Sequence, residues 1–233
     1  MCYRGYPPRN ELQVMENIIS AANTDNQIHS LLHSELGAQL PLHISLSAPL
    51  VLKTEQKSEY EEAVEEAIKS SRVPSFETTI RGVRWQRNFD GTRYFLVLRI
   101  SKAMMDDELN RLLNCCNACA KQFNLPLLYD YDTATANPGT RPAASNSTSA
   151  NHDSSGTSPN HDTWRTPVDR TDAFHISIAW QLAAPTLKHK VVIAHPGIEK
   201  LKKVVQVERT LGFKVVKLKI GNMVKDIPLR KPT

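Results

Sequence analysis

Two five-residue stretches constrain this chain more than anything else in it: Leu42-His43-Ile44-Ser45-Leu46 and Phe174-His175-Ile176-Ser177-Ile178. In each, a histidine and a serine two positions apart are fenced by large apolar residues. Side chains alternate along a β-strand, so each stretch, read as a strand, puts His and Ser on one face and apolar residues on the other. The triplet alone is cheap. His152-Asp153-Ser154 and His161-Asp162-Thr163 also fit it, without apolar flanks or a predicted strand. One apolar-flanked copy would read as a hydrogen-bonded core histidine, whereas two in matching contexts point to a built site.

The contexts match over a longer span. Asn10 is placed to cap a helix with Leu12, Met15, Ile18, Ile19 and Ala22 at helical spacing. A second helical piece is expected through Ile28, Leu31, Leu32 and Leu36, ended by Gly37. After the first histidine strand, a helix is predicted from about Glu55 to Ser70. Its outer face is acidic, with Glu59, Glu61, Glu62, Glu65 and Glu66; Ala63, Val64, Ala67 and Ile68 point inward. Phe76 to Trp85 and Tyr94 to Ile100 then flank Asn88-Phe89-Asp90-Gly91, a strong hairpin signal. Met104 to Phe123 reads as a buried helix. After the second histidine strand come a helix around Ile198 to Val205 and a hairpin from Phe213 to Leu229 turning at Gly221-Asn222. Strand, helix and hairpin therefore recur in one order. The turn lies 47 positions after His43 in one half, at Asp90, and 46 after His175 in the other, at Gly221. This fits a duplicated unit whose two lobes face each other across one cleft.

From about Thr133 to Thr163 the chain has no large aliphatic or aromatic residue. Such a stretch buries too little surface to offset the entropy of ordering it. Residues 133–170 are taken as a disordered insertion in a single domain spanning 9–233. No apolar run approaches the roughly 18 residues a membrane span needs, and the opening residues lack the apolar core of a secretory signal. Cys115, Cys116 and Cys119 crowd one predicted helix, which fits core packing in a reducing compartment rather than a disulfide framework or a metal site. From Thr186 onward, twelve Lys or Arg stand against three acids, a net +9 on the last fifth of the chain. That balance suits a polyanion, though a solvated face is as good a reading of charge alone.

The paired motif suits one chemistry. Cleaving a phosphodiester through an attached hydroxyl needs one group to take a proton from the nucleophile and another to give one to the leaving oxygen. Imidazole, with an ordinary pKa of about 6.5, serves in either role. His43 and His175 would complete the cycle without a metal. Ser45 and Ser177, on the same faces, can donate hydrogen bonds to the non-bridging phosphate oxygens, where charge builds up.

These residues resemble the 2H phosphoesterase superfamily and, within it, the U6 small nuclear RNA phosphodiesterase family. The resemblance rests on Pro41-Leu42-His43-Ile44-Ser45-Leu46-Ser47, on Phe123-Asn124-Leu125 with Tyr129, on Ala173-Phe174-His175-Ile176-Ser177-Ile178-Ala179-Trp180, and on Lys219-Ile220-Gly221-Asn222 with Pro228-Leu229. It covers most of the chain from about Glu11 to Leu229, the insertion apart. It implies an α+β fold of two pseudo-symmetric lobes, each a mostly antiparallel sheet with helices outside. His43 and His175 become the acid–base pair, Ser45 and Ser177 the phosphate ligands, and Tyr129 an aromatic contact for a uridine base. A core tyrosine is nearly as good a reading of Tyr129. Trp85 and Trp180 are read as packing. Lys217 and Lys219, with Lys225, are candidates for RNA backbone contacts.

The implied activity is metal-independent, cofactor-free 3′→5′ trimming of an oligouridine RNA end, by a monomer in the nucleus and away from membranes. Two departures stand out. The insertion replaces a short link, and residues 1–10 lack the opening strand of the family, so an edge strand of one lobe is expected to be missing. Two rivals remain open: a cyclic phosphodiesterase acting on small nucleotides or tRNA-derived ends, and a non-catalytic RNA-binding module.

Overall fold

The computed structural model describes residues 2–23, 28–88, 90–101, 107–129, 169–185 and 211–231. In chain order the elements are β1 (Cys2–Gly5), α1 (Arg9–Ala22), β2 (His29–Ser30), β3 (Leu42–Ile44), α2 (Gln56–Ser70), β4 (Phe76–Thr78), β5 (Ile80–Arg87) and β6 (Tyr94–Ile100). There follow α3 (Glu108–Gln122), a short 3-10 turn (Thr171–Ala173), β7 (His175–Gln181), β8 (Leu211–Phe213), β9 (Val215–Ile220) and β10 (Met223–Pro228). Two four-stranded sheets, in the orders β10-β9-β1-β3 and β2-β7-β6-β5, are joined by a small pair, β4 with β8. Every pairing between these strands is antiparallel. The expected α+β architecture of antiparallel sheets with helices is the one found.

The elements follow from their residues. Tyr60, Val64 and Ile68 recur every fourth position of α2 and are buried. On α3, Leu109, Leu112, Leu113, Cys116, Cys119 and Ala120 form the buried stripe. The β5–β6 hairpin turns at Gly91 (φ 72°) and the β9–β10 hairpin at Gly221 (φ 59°), conformations that favour glycine. Ile44, Leu46, Leu96, Leu98, Ile176 and Ile178 belong to one continuous core that both large sheets share. No helix among the described residues is long and apolar enough to cross a membrane.

Four expectations are corrected. Residues 2–5 form a strand, and β1 lies inside its sheet, between β3 and β9. A four-residue strand is too short to show a hydrophobic period, and only the two partners flanking it define it. Around Leu31 and Leu32 there is no helix. The backbone there is committed to β7, through β2 and through the Leu31 amide donating to the Ile178 carbonyl at 2.8 Å. Leu32 is buried while Leu36 is almost fully exposed, so the apolar period there was accidental. Helix α1 starts at Arg9 after Pro8 rather than from an Asn10 cap. Helix α3 begins at Glu108. The insertion expected at 133–170, apart from its last two residues, and the helix expected around Ile198 to Val205 lie outside the described residues.

The duplication is interleaved. The histidine strand of the first half, β3, shares its sheet with the hairpin of the second half, β9–β10. The second histidine strand, β7, pairs with the hairpin of the first half, β5–β6. Each sheet thus draws on both halves of the chain, and the repeated units of the sequence are not the lobes of the fold.

Candidate active site

Strands β3 and β7 lie against each other where the two large sheets meet. On β3, Leu42 and Ile44 are buried while His43 is exposed; Ser45 is half-buried and Leu46 fully buried. On β7, Ile176 and Ile178 are buried while His175 and Ser177 are half-buried. The alternation predicted for both motifs is therefore present. His175 is close enough for its charge to act on His43.

The two histidines are held alike. His175 Nδ1 lies 2.7 Å from the carbonyl of Ala173, two residues earlier. The His43 ring is likewise hydrogen-bonded to the carbonyl of Pro41, two residues before it. A ring N–H donating to a carbonyl fixes the tautomer, so at His175 the free nitrogen is Nε2, the one able to exchange protons with a substrate. Both imidazoles are held below their ordinary pKa. For His43 the main cause is the protein crowding its ring, even though solvent reaches it, with the nearby His175 adding to the effect. For His175 it is burial first, then the Arg84 guanidinium. The carbonyl bonds oppose the shift at both.

The β6–β7 register shows what else shares the His175 face. Arg99 pairs with His175, Val97 with Ser177 and Phe95 with Trp180, and the ladder slips at Ile178. This bulge turns Trp180 onto the face of His175 and Ser177, where an unbroken alternation would have put it with Ile176. Trp180 stacks on His29 of β2 at 4.3 Å, and the Arg93 guanidinium lies 4.7 Å from its ring centre. Arg84, cross-strand from Val97, is on the same face. No linear pattern marks these arginines, because their place depends on pairing strands some 80 residues apart.

The other candidates fall in three places. Tyr129 is buried, with φ 57°, and meets Phe174 edge-on at 5.8 Å, so its ring braces the residue before His175. By register Lys217 and Lys219 are on the His43 face of their sheet, on the far side of β1. Lys217 pairs across the hairpin with Asp226, and Lys219 is exposed. Lys225 is held by Glu61 and Glu65, tying β10 to α2; these contacts keep the Glu65 carboxyl down at about 2. Trp85 packs against the core. Cys116 and Cys119 are buried and Cys115 half-buried, and burial pushes all three thiols up, Cys116 to about 12. Among the described residues no group of three or more His, Cys, Asp or Glu is placed to hold a metal.

Residues 4–228 match the HVSL family, described as an uncharacterised conserved protein. The chain belongs to this family. No curated protein matches it significantly in sequence. Among solved structures, this HVSL-family chain is similar to Usb1 of Kluyveromyces marxianus, both with uridine monophosphate and without it. Identity is 18%, coverage 96% of this chain and 94% of that one, and the TM-score 0.53. At that identity the likeness speaks for the fold, and it agrees with the family to which the paired motifs pointed.

Proposed function

We propose that this HVSL-family protein is a metal-independent 3′→5′ RNA exonuclease that trims the uridine-rich 3′ end of U6 small nuclear RNA in the nucleus, working as a monomer. The observation that carries the reading is the matched pair itself. Two histidines stand on adjoining strands, each bonded to the carbonyl two residues before it and each followed two residues later by a serine on the same face. The solved Usb1 complex with uridine monophosphate supports a uridine end as substrate.

The penultimate 2′-hydroxyl attacks the terminal phosphodiester. Its proton passes to one imidazole as the new bond from O2′ to phosphorus forms. The bond from phosphorus to O5′ breaks, and the other imidazole, protonated, gives its proton to O5′ of the departing nucleoside. Ser45 and Ser177 donate to the two non-bridging oxygens as charge gathers there. A 2′,3′-cyclic phosphate remains. Exchange of roles by the histidines would let water open it to a monophosphate. Burial favours the neutral form of both rings in the free protein, which suits the base, and the arriving phosphate anion favours the protonated form needed of the acid.

Mass spectrometry of the products from an RNA ending in oligouridine tests this. Release of a single nucleoside and a cyclic phosphate end is expected, abolished by a 2′-deoxy group at the penultimate position. Trimming of the 2′-deoxy substrate at the normal rate would overturn the mechanism.

A further inference from the structure

Three guanidinium groups converge beside His175. Arg99 is its cross-strand neighbour, Arg84 stands one strand further out on the same face, and Arg81 lies near the start of β5. All three turn to the Thr171–Ala173 turn that leads into β7. Arg81 and Arg99 form ion pairs with the Asp172 carboxylate, and Arg84 Nη2 donates to the Asp172 carbonyl at 2.8 Å.

The Asp172 carboxylate, 77% exposed, thus pairs with two of the three cations, while Arg84 donates to neutral oxygens, the Asp172 carbonyl and Gln86 Oε1 at 2.6 Å. Nε of Arg84 and Nε of Arg99 are buried with no hydrogen-bond partner among the described residues. Burial and the neighbouring Arg99 weaken the hold of Arg84 on its proton. Clustered, partly desolvated like charges cost free energy and call for an anion. A cavity of about 430 Å³ adjoins them, lined by Arg81, Asp169, Arg170, Thr171, Asp172 and Ala173. Within it, the Asp169 carboxylate is occupied by the Asn110 amide and the Thr171 backbone N–H.

We propose that Arg81, Arg84 and Arg99 form a second phosphate subsite. It takes the phosphodiester on the 5′ side of the scissile one in single-stranded RNA, and Asp172 occupies the phosphate position in the free protein. The inference rests on the exonuclease reading, which also fixes the direction: the departing nucleoside carries no phosphate beyond the scissile one. Two strand spacings, about 10 Å, separate the Arg84 and Ser177 backbones. The long arginine side chain narrows that gap toward the spacing of neighbouring phosphates. Guanidinium forks match phosphate oxygens in pairs, and displacing an exposed carboxylate costs little.

The test compares kcat/KM for UpU, which has one phosphodiester, with UpUpU, which has two. The ratio cancels any effect of the variants on the chemical step. Wild type is expected to favour UpUpU at least tenfold. Arg84→Gln and Arg99→Gln are each expected to bring the ratio toward one and to flatten the log–log salt dependence for UpUpU by about 0.7, one phosphate contact on a single strand. Asp172→Asn is expected to raise the ratio, because it frees the arginines. Arg84→Lys, which keeps the charge, is expected to restore part of the preference.

An unchanged ratio in both Gln variants would overturn the subsite, as would a ratio that falls in Asp172→Asn, the mark of a role confined to holding the turn. If wild type cleaves neither substrate, the exonuclease reading fails separately. Calorimetry with 2′-deoxy di- and trinucleotides then decides the subsite by the same ratio of affinities. Equal wild-type affinity for the two would sink it.

Discussion

Strands β3 and β7 carry the same local pattern in unlike settings. Strand β3 has three residues and, among the described residues, lies at the edge of its sheet with β1 as its one partner there. Strand β7 has seven, runs between β2 and β6, and contains a bulge that re-aims Trp180. His43 is exposed, whereas His175 is half-buried with arginines beside it. A short pattern can therefore fix the orientation of two histidines, a buried apolar residue on either side of each and a carbonyl behind it. The rigidity and charge around each copy come from the rest of its sheet. The two histidines are expected to be matched in proton transfer and mismatched in everything that surrounds it.

The largest test of that expectation is His43→Ala against His175→Ala. Each is expected to lower kcat by about 10²–10⁴-fold on oligouridine RNA. The double variant should lose far less than the product of the two, since acid and base act as a unit. A loss under tenfold at either position would break the equivalence of the strands. Next in size, Ser45→Ala and Ser177→Ala are each expected to cost about 10²-fold in kcat, as does removing one oxyanion donor elsewhere.

Stability should separate what catalysis equates. Ile176→Ala and Ile44→Ala both empty fully buried positions, and each should cost roughly 2–5 kcal/mol in denaturant unfolding. The central strand β7 is expected at the upper end and the edge strand β3 at the lower.

The smallest effects are in pH. Both imidazoles are held below 6.5 in the fold. The unfolded chain therefore takes up more protons as pH falls through 6.5. The stability gained by keeping these rings neutral is present above that pH and is lost as pH falls toward the folded values. The decline in Tm between pH 7.5 and 5.5 should be shallower in a His43→Gln, His175→Gln double variant. In kcat/KM, the bell set by the pair is expected to peak on the acid side of 6.5. A peak above pH 7 would mean that at least one histidine is not held down in the free protein.

Much of this was legible in the residues themselves. Strand alternation around His43 and His175, the stripes of α2 and α3 and the glycine turns of both hairpins are local consequences of side-chain sequence, and the structure contains them. The failures share a cause. Residues 2–5 are a strand because β3 and β9 leave room for one. The stretch around Leu31 is extended because β7 offers it hydrogen bonds that outweigh a weak helical period. Lys225, a candidate RNA contact, faces Glu61 and Glu65 across an interface that no linear pattern marks.

The sequence by itself determined that two histidine–serine strands exist and which way each faces, because a period of two is a property of neighbours in the chain. Only the tertiary structure decided that β3 shares a sheet with β9–β10 and β7 with β5–β6. It alone placed Arg84 and Arg99 beside His175 and turned Trp180 toward the same face. Those outcomes depend on register between distant strands and on one bulged residue, where a shift of a single position sends every side chain to the opposite face.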